Sequence, residues 1–380
     1  MKIAVIDTKL DAGTDGFLTG LLKGLAGKGH DVHLIVSGAA ADGRRSRFAE
    51  TGAVVHSDLW PADGFIEETT PVLADRINGL GPDVYAIADA DDVGWTVLPR
   101  LAAGIATVAV GHRDTEALFL PARHYRSFLT RVVGVGPEVC VGYVLSSVID
   151  KERVEWIPYG VTASDAEPAD ADGNGLKIVA PAAPELAPVA GRLTEKGVAF
   201  ELTVVGDDAS FRTIFGDAAG AENIVLLDRP DDDAALAALR RADVFLATAV
   251  FDGFSYMLAE AMANGCAPVV GASANGRSEL IETGANGFAI NGADPEIFAE
   301  KLTLLAADRA ALLGMRRAAW QTGGEYALAK MVENYENCFA KAVAEASAAP
   351  RATYADYPLM ETCRSRVPLW LRKLKAGFKS

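Results

Sequence analysis

The chain has 380 residues, half of them hydrophobic and 8% aromatic, with a formal net charge of −15. That length exceeds one ordinary core and suits two domains of α/β size. The negative charge argues against a nucleic-acid partner, which needs clustered Lys and Arg against phosphate, and no apolar run reaches the length of about 18 residues that spans a bilayer.

Short apolar runs alternate with helix-length stretches throughout, the signature of parallel sheets covered on both faces. The first strand candidate, residues 2–7, opens with one charged residue, Lys2, and lacks the longer apolar core of a signal peptide, which predicts a cytoplasmic location. Gly13-Thr-Asp-Gly16 stands between this strand and the first helix. Gly27-Lys-Gly-His30 occupies the place of a helix C-cap before the second strand. Further strands are expected at 31–36, 53–58, 83–88, 106–111 and 132–136. Asp89-Ala-Asp-Asp92 has no His or Cys beside it and reads as a solvated loop rather than a metal site. His112, followed by Arg113 and Asp114, closes the strand at 106–111.

Residues 161–175 contain Ala, Asp, Gly, Asn and Pro with little apolar periodicity and read as an interdomain linker. A second strand series follows at 176–180, 200–206, 224–228, 244–250, 267–271 and 287–290, then a helical stretch from about 295 to 343. The expected architecture is α/β, two doubly wound Rossmann-like domains over 1–160 and 176–345, with the last helix able to return to the first domain. Such sheets bind ligands at the carboxyl ends of their strands, so a cleft between the two domains is the expected site. Cys140, Cys266, Cys338 and Cys363 are too widely spaced for a metal site and read as reduced structural thiols.

The stretch richest in chemistry is Asp252-Gly-Phe-Ser-Tyr-Met-Leu-Ala-Glu260. Two carboxylates bracket a Gly-containing turn and the first turns of a helix. Carboxylates accept hydrogen bonds from sugar hydroxyls, and free N–H groups at a helix N-terminus favour phosphate, so the pairing suggests a sugar nucleotide. A plain helix N-cap is the competing role for Asp252, and a solvated helix carboxylate is the one for Glu260.

These residues carry a family resemblance. Asp252-Gly-Phe-Ser and Glu260-Ala-Met-Ala-Asn-Gly-Cys-Ala-Pro-Val-Val resemble the Glu-x7-Glu motif of retaining, nucleotide-sugar-dependent glycosyltransferases of the GT-B fold, with one extra residue near Cys266. Asn275–Phe288 and Asp243-Val-Phe-Leu fit the same pattern, and Val154-Glu-Trp-Ile-Pro-Tyr-Gly-Val161 is similar with Tyr159 in place of Asn. The resemblance implies catalytic roles for His112 and Asp252. Donor binding would fall to Gly13, Thr14, Gly16, Gly253, Phe254, Ser255, Tyr256, Met257 and Glu260, with Glu260 at the ribose. Phe254, Ser255 and Tyr256 would offer backbone N–H groups, and His112 would orient the sugar rather than attack it. Neither a cofactor nor a metal is expected beside the nucleoside diphosphate sugar.

One departure concerns positive charge. The family places an Arg and a Lys after the first strand of the second domain, where this chain has the uncharged run Ala180-Pro-Ala-Ala-Pro184. Arg192 and Lys196 stand instead at the far end of a predicted helix roughly 20 Å long. Lys9, Arg229, Arg277 or helix N-termini remain to offset a diphosphate.

Residues 351–380 carry seven Lys or Arg against two acids, a net of +5 that leaves −20 on the rest. Within the expected tail, 346–380, Leu371, Leu374 and Phe378 recur at helical spacing among Arg372, Lys373, Lys375 and Lys379, near Trp370. This pattern predicts either attachment to an anionic membrane surface or packing on an acidic face of the protein. The expected activity is hexose transfer, with retention, to a membrane-associated glycan or glycolipid. The alternatives are a GT-B-fold scaffold of little or no activity and, less in keeping with the acidic motif, an epimerase.

Overall fold

A computed structural model describes residues 1–8, 15–37, 48–60, 64–169, 175–216, 221–228, 232–251, 256–272 and 280–360. The chain divides into two compact units, one of Met1–Tyr159 with Met331–Ser380 and one of Gly160–Lys330.

The first unit holds β1 (Lys2–Asp7), α1 (Asp15–Gly27), β2 (Asp31–Ile35), β3 (Val54–His56), α2 (Ile66–Leu80), β4 (Val84–Asp89) and α3 (Asp92–Thr96). It continues through β5 (Ala106–Gly111), α4 (Glu116–His124), β6 (Arg131–Gly134), α5 (Pro137–Leu145) and β7 (Val154–Trp156). The strands form one parallel sheet in the order β3-β2-β1-β4-β5-β6-β7. β5 is buried along its whole length. That is why it reads as an unbroken apolar run: a central parallel strand is covered on both faces. β7 was not expected, because three residues on a sheet edge are too few to show a period.

The second unit holds β8 (Leu176–Pro181), α6 (Leu186–Glu195), β9 (Phe200–Gly206), α7 (Asp208–Phe215), β10 (Ile224–Asp228), α8 (Asp232–Arg241) and β11 (Val244–Phe251). α9 (Tyr256–Ala263), β12 (Ala267–Ala272), β13 (Phe288–Asn291), α10 (Pro295–Ala307) and α11 (Arg309–Gly324) follow. Its sheet, also parallel, runs β10-β9-β8-β11-β12-β13. The segment expected as a linker falls with this unit, where Val161 donates its N–H to Tyr326 O at 2.9 Å and accepts from Leu328 N at 2.9 Å. The helical stretch from 295 is three helices, the last being α12 (Leu328–Ala348), which counts with the first unit from Met331 onward.

A buried ion pair fastens α11 beneath the second sheet. Asp243, 0% exposed, accepts from Arg316 Nη1 at 2.9 Å, from Arg309 Nη1 at 3.3 Å and from the Lys177 N–H at 3.1 Å. Arg316 Nε donates to Gly265 O at 2.8 Å. Buried charges persist only when hydrogen-bonded in this way. The Asp243 in the family-like segment therefore anchors the scaffold.

The tail begins later than expected. Residues 346–348 end α12, and the chain then packs on the first unit as a strap. Arg351 reaches the carbonyls of Ile105, Leu101 and Ala102. The Tyr354 N–H donates to Pro99 O at 2.7 Å, His124 Nε2 donates to Pro358 O at 2.8 Å, and Met360 is buried. Desolvation lowers the Arg351 guanidinium to about 10. The basic residues 364–379 lie outside the described residues.

Candidate functional site

Each sheet has one place where neighbouring strands send their connections to opposite sides, and there a crevice opens at the carboxyl ends. In the first unit it lies between β1 and β4. Thr8 N donates to Asp89 O at 2.9 Å, and Thr8 Oγ1 accepts from Asp91 N at 2.7 Å, closing the floor of that crevice. Two cavities adjoin it. One of about 510 Å³ is bordered by Thr8, Ser37, Trp60, Asp91, Asp92 and Trp95. The other, about 500 Å³, is bordered by Asp89, Trp95, Val110, His112, Arg113 and Leu118. Ala90, Trp95 and Ala117 border both. The Asp89–Asp92 run therefore lines cavities, although Asp91 itself is exposed.

His112 is held on both ring nitrogens. Nε2 lies 2.8 Å from Ala88 O and Nδ1 lies 2.9 Å from Tyr159 Oη. A carbonyl only accepts, so Nε2 carries the proton and Nδ1 takes the one offered by Tyr159. Phe17 of α1 meets the imidazole edge-on at 5.0 Å. The ring is fixed in tautomer and plane, which suits orientation rather than proton shuttling. Arg113 is exposed beside it. Gly16 sits exposed in the first turn of α1, and Gly13 and Thr14 lie outside the described residues.

The second unit's crevice lies between β8 and β11. β11 ends at Phe251 and α9 opens at Tyr256, so Asp252, Gly253, Phe254 and Ser255 fall outside the described residues. Tyr256, Met257 and Glu260 are half-buried on α9, while Leu258, Ala259 and Ala261–Ala263 are buried. The apolar Ala-Met-Ala run thus serves the core, while Glu260 just before it stays half-buried. Two devices hold this helix. Gly265 takes φ 83°, a left-handed cap that lets Cys266 N reach Ala261 O at 3.0 Å. Asn264 Nδ2 bridges Glu260 O at 2.8 Å and Thr162 O at 2.6 Å. Burial raises the Cys266 and Cys338 thiols to about 12 and also raises Cys140, which disfavours their thiolates, and Cys363 lies outside the described residues.

Sequence reading missed one residue at this crevice. The uncharged turn 180–184 ends at Glu185, whose Oε2 accepts from Thr248 Oγ1 at 3.3 Å. Its signal was plain, the first charge after β8, but the partner on β11 was not. Arg192 and Lys196 stand at the opposite end of α6, bound to Glu296 at 3.2 and 2.7 Å. Lys9, Arg229 and Arg277 lie outside the described residues. A cavity of about 250 Å³ bordered by Lys177, Glu201 and Arg241 lies towards the amino ends of β8 and β9, away from this crevice. Among the described residues no three His, Cys, Asp or Glu are grouped to hold a metal ion, and no helix is long and apolar enough to cross a membrane.

Residues 172–308 match the family model for glycosyl transferases group 1. No curated protein sequence matches the chain. Among solved structures, a glycosyltransferase of Rickettsia africae is 14% identical with a TM-score of 0.71, covering 90% of this chain and 98% of that one. Anabaena HepE, solved in complex with UDP, is 14% identical with a TM-score of 0.68 over 90% of this chain and 100% of that one. A sucrose-phosphate synthase of Thermosynechococcus elongatus is 15% identical with a TM-score of 0.65 over 90% and 99%. The fold is GT-B.

Proposed function

We propose that the chain is a glycosyltransferase that moves a hexose from a nucleoside diphosphate sugar to a hydroxyl of a membrane-associated glycan or glycolipid, with retention of configuration. The observation that carries the reading is the group 1 match over 172–308, within the unit where α9 presents Tyr256, Met257 and Glu260 beside the β8–β11 crevice. That HepE was solved with UDP and with UDP-glucose supports a nucleotide-sugar donor. In this reading Glu260 holds the ribose and Asp252 the sugar hydroxyls. N–H groups of Phe254, Ser255 and Tyr256 stabilise the departing diphosphate as its charge develops. His112 orients the sugar. The diphosphate oxygen assists removal of the acceptor proton, and no metal takes part. The basic residues 364–379 support a peripheral, cytoplasmic-face location.

A second reading, a nucleotide-binding scaffold without turnover, draws on the carboxylate of Glu185 at the crevice. Calorimetric titration with UDP and GDP, followed by donor hydrolysis and transfer to lipid extracts, separates the two. Binding without hydrolysis or transfer would favour the scaffold. Glu260→Ala should weaken nucleotide binding, and unchanged affinity would remove its ribose role.

A further inference from the structure

Glu185 occupies an unusual place for a carboxylate. It follows β8 and immediately precedes α6, and its side chain makes no capping hydrogen bond to that helix. Instead it spans the β8–β11 crevice to Thr248, which is 0% exposed and lies where β11 shifts register against β12, between Ala247 and Val250. Such a bulge re-aims a side chain, here a hydroxyl towards the crevice. One hydroxyl donor at 3.3 Å leaves a carboxylate with unused acceptor capacity.

Among the described residues the surroundings hold no cation that cancels the charge. In the turns leaving the carboxyl ends of the second sheet, no Lys or Arg occurs among the described residues. Asp207 follows β9, and its neighbour Asp208 is paired with Arg212 at 2.7 Å. Arg192 and Lys196 are committed to Glu296 at the other end of α6. The positive N-terminus of α6, which by itself favours phosphate, is thus fronted by a negative side chain.

We propose that Glu185 is a specificity-determining residue of the donor site, opposing the diphosphate so that the crevice discriminates against ligands by the phosphate charge they carry. This rests on the reading of the second unit as a nucleotide-sugar site. A carboxylate and a diphosphate within several ångströms at a half-exposed position repel enough to cost about tenfold in affinity. The penalty falls on the phosphates and spares the nucleoside.

The test compares full-length protein with Glu185→Gln and Thr248→Val by calorimetric titration of UDP, GDP and ADP and of the matching nucleosides, at low and high salt. Gln keeps an acceptor for Thr248 and removes the charge, so E185Q should bind the diphosphate about tenfold more tightly and the nucleoside equally well. The gain should shrink at high ionic strength. T248V, which removes the hydrogen bond but not the charge, should show no such gain. Equal diphosphate affinity in wild type and E185Q, or a gain shared equally by the nucleoside, overturns the role of Glu185 alone. Failure of wild type and both variants to bind any nucleotide overturns the reading of the site, and this proposal with it.

Discussion

Tyr159 Oη lies 2.9 Å from Nδ1 of His112, 47 positions away along the chain. The two rings stack at 5.8 Å and are nearly parallel, at 7°. Tyr159 stands where the resembling glycosyltransferases have Asn, and it is the last residue of the first unit. The departure from the family pattern therefore has a partner: the Ala88 carbonyl fixes the imidazole tautomer, and the phenol holds the Nδ1 that this tautomer leaves as acceptor.

Tyr159→Phe keeps the ring and removes that hydrogen bond, at a cost of about 0.5–1.5 kcal/mol. With His112 less firmly held, donor hydrolysis and transfer should slow severalfold while UDP affinity stays unchanged. Steady-state kinetics beside calorimetry checks this. A matching loss of nucleotide affinity would show that Tyr159 supports the fold at large.

Gly323 of α11 touches the backbone of α9. A Cβ there would lie 2.2 Å from Ala263 N and 2.5 Å from Ala263 Cα, neither of which can yield as a side chain would. Gly323→Ala should destabilise the protein by about 1–3 kcal/mol. It should also weaken nucleotide binding, because α9 carries Glu260. Urea denaturation and UDP titration read the two effects, and an unchanged denaturation midpoint would contradict the packing argument.

The edge of the first sheet holds a histidine pair. His33 Nδ1 and His56 Nε2 are 2.9 Å apart, and His33 Nε2 faces Asp31 at 3.1 Å. Burial holds His56 below its ordinary 6.5, the charge of His33 adds to this, and Asp58 opposes it. The unfolded chain then takes up this proton at higher pH than the folded one. Stability from this site is full above 6.5 and is lost as pH falls through the lower folded value. The melting temperature should drop as pH falls below 6.5, and less steeply in His56→Gln. Equal slopes in the two proteins would remove His56 as the cause.

The strap divides the C-terminal segment into two tests. A chain ending at Met360 keeps Arg351, Tyr354 and Tyr357, so in the membrane reading its melting temperature should match the full protein, and a fall would favour packing of the tail on the protein. In the membrane reading its sedimentation with anionic liposomes should vanish. A chain ending at Pro350 loses the strap with its Arg351 hydrogen bonds and the buried Met360, and should be less stable by about 3 kcal/mol. Undiminished liposome binding by the Met360 form would rule out residues 361–380 as the membrane contact.

Local pattern determined much of this protein. Apolar runs of strand length, separated by helix-length stretches, were enough to place β1, β5, β9 and β10 residue for residue; β1 and β5 are central strands buried on both faces, whereas β10 lies at a sheet edge. The same logic put Arg192 and Lys196 at the far end of α6, the wrong end to serve the crevice. It also set Tyr256 and Glu260 on a helix following β11.

Only the tertiary structure decided which distant side chains meet. Glu185 and Thr248 are 63 residues apart, and they face each other because β8 and β11 are neighbours in the sheet. Periodicity reports which face of an element is buried, but strand order and helix approach are non-local and leave no period to read. The pairing of Tyr159 with His112, the contact of Gly323 with α9 and the docking of the strap are of that kind.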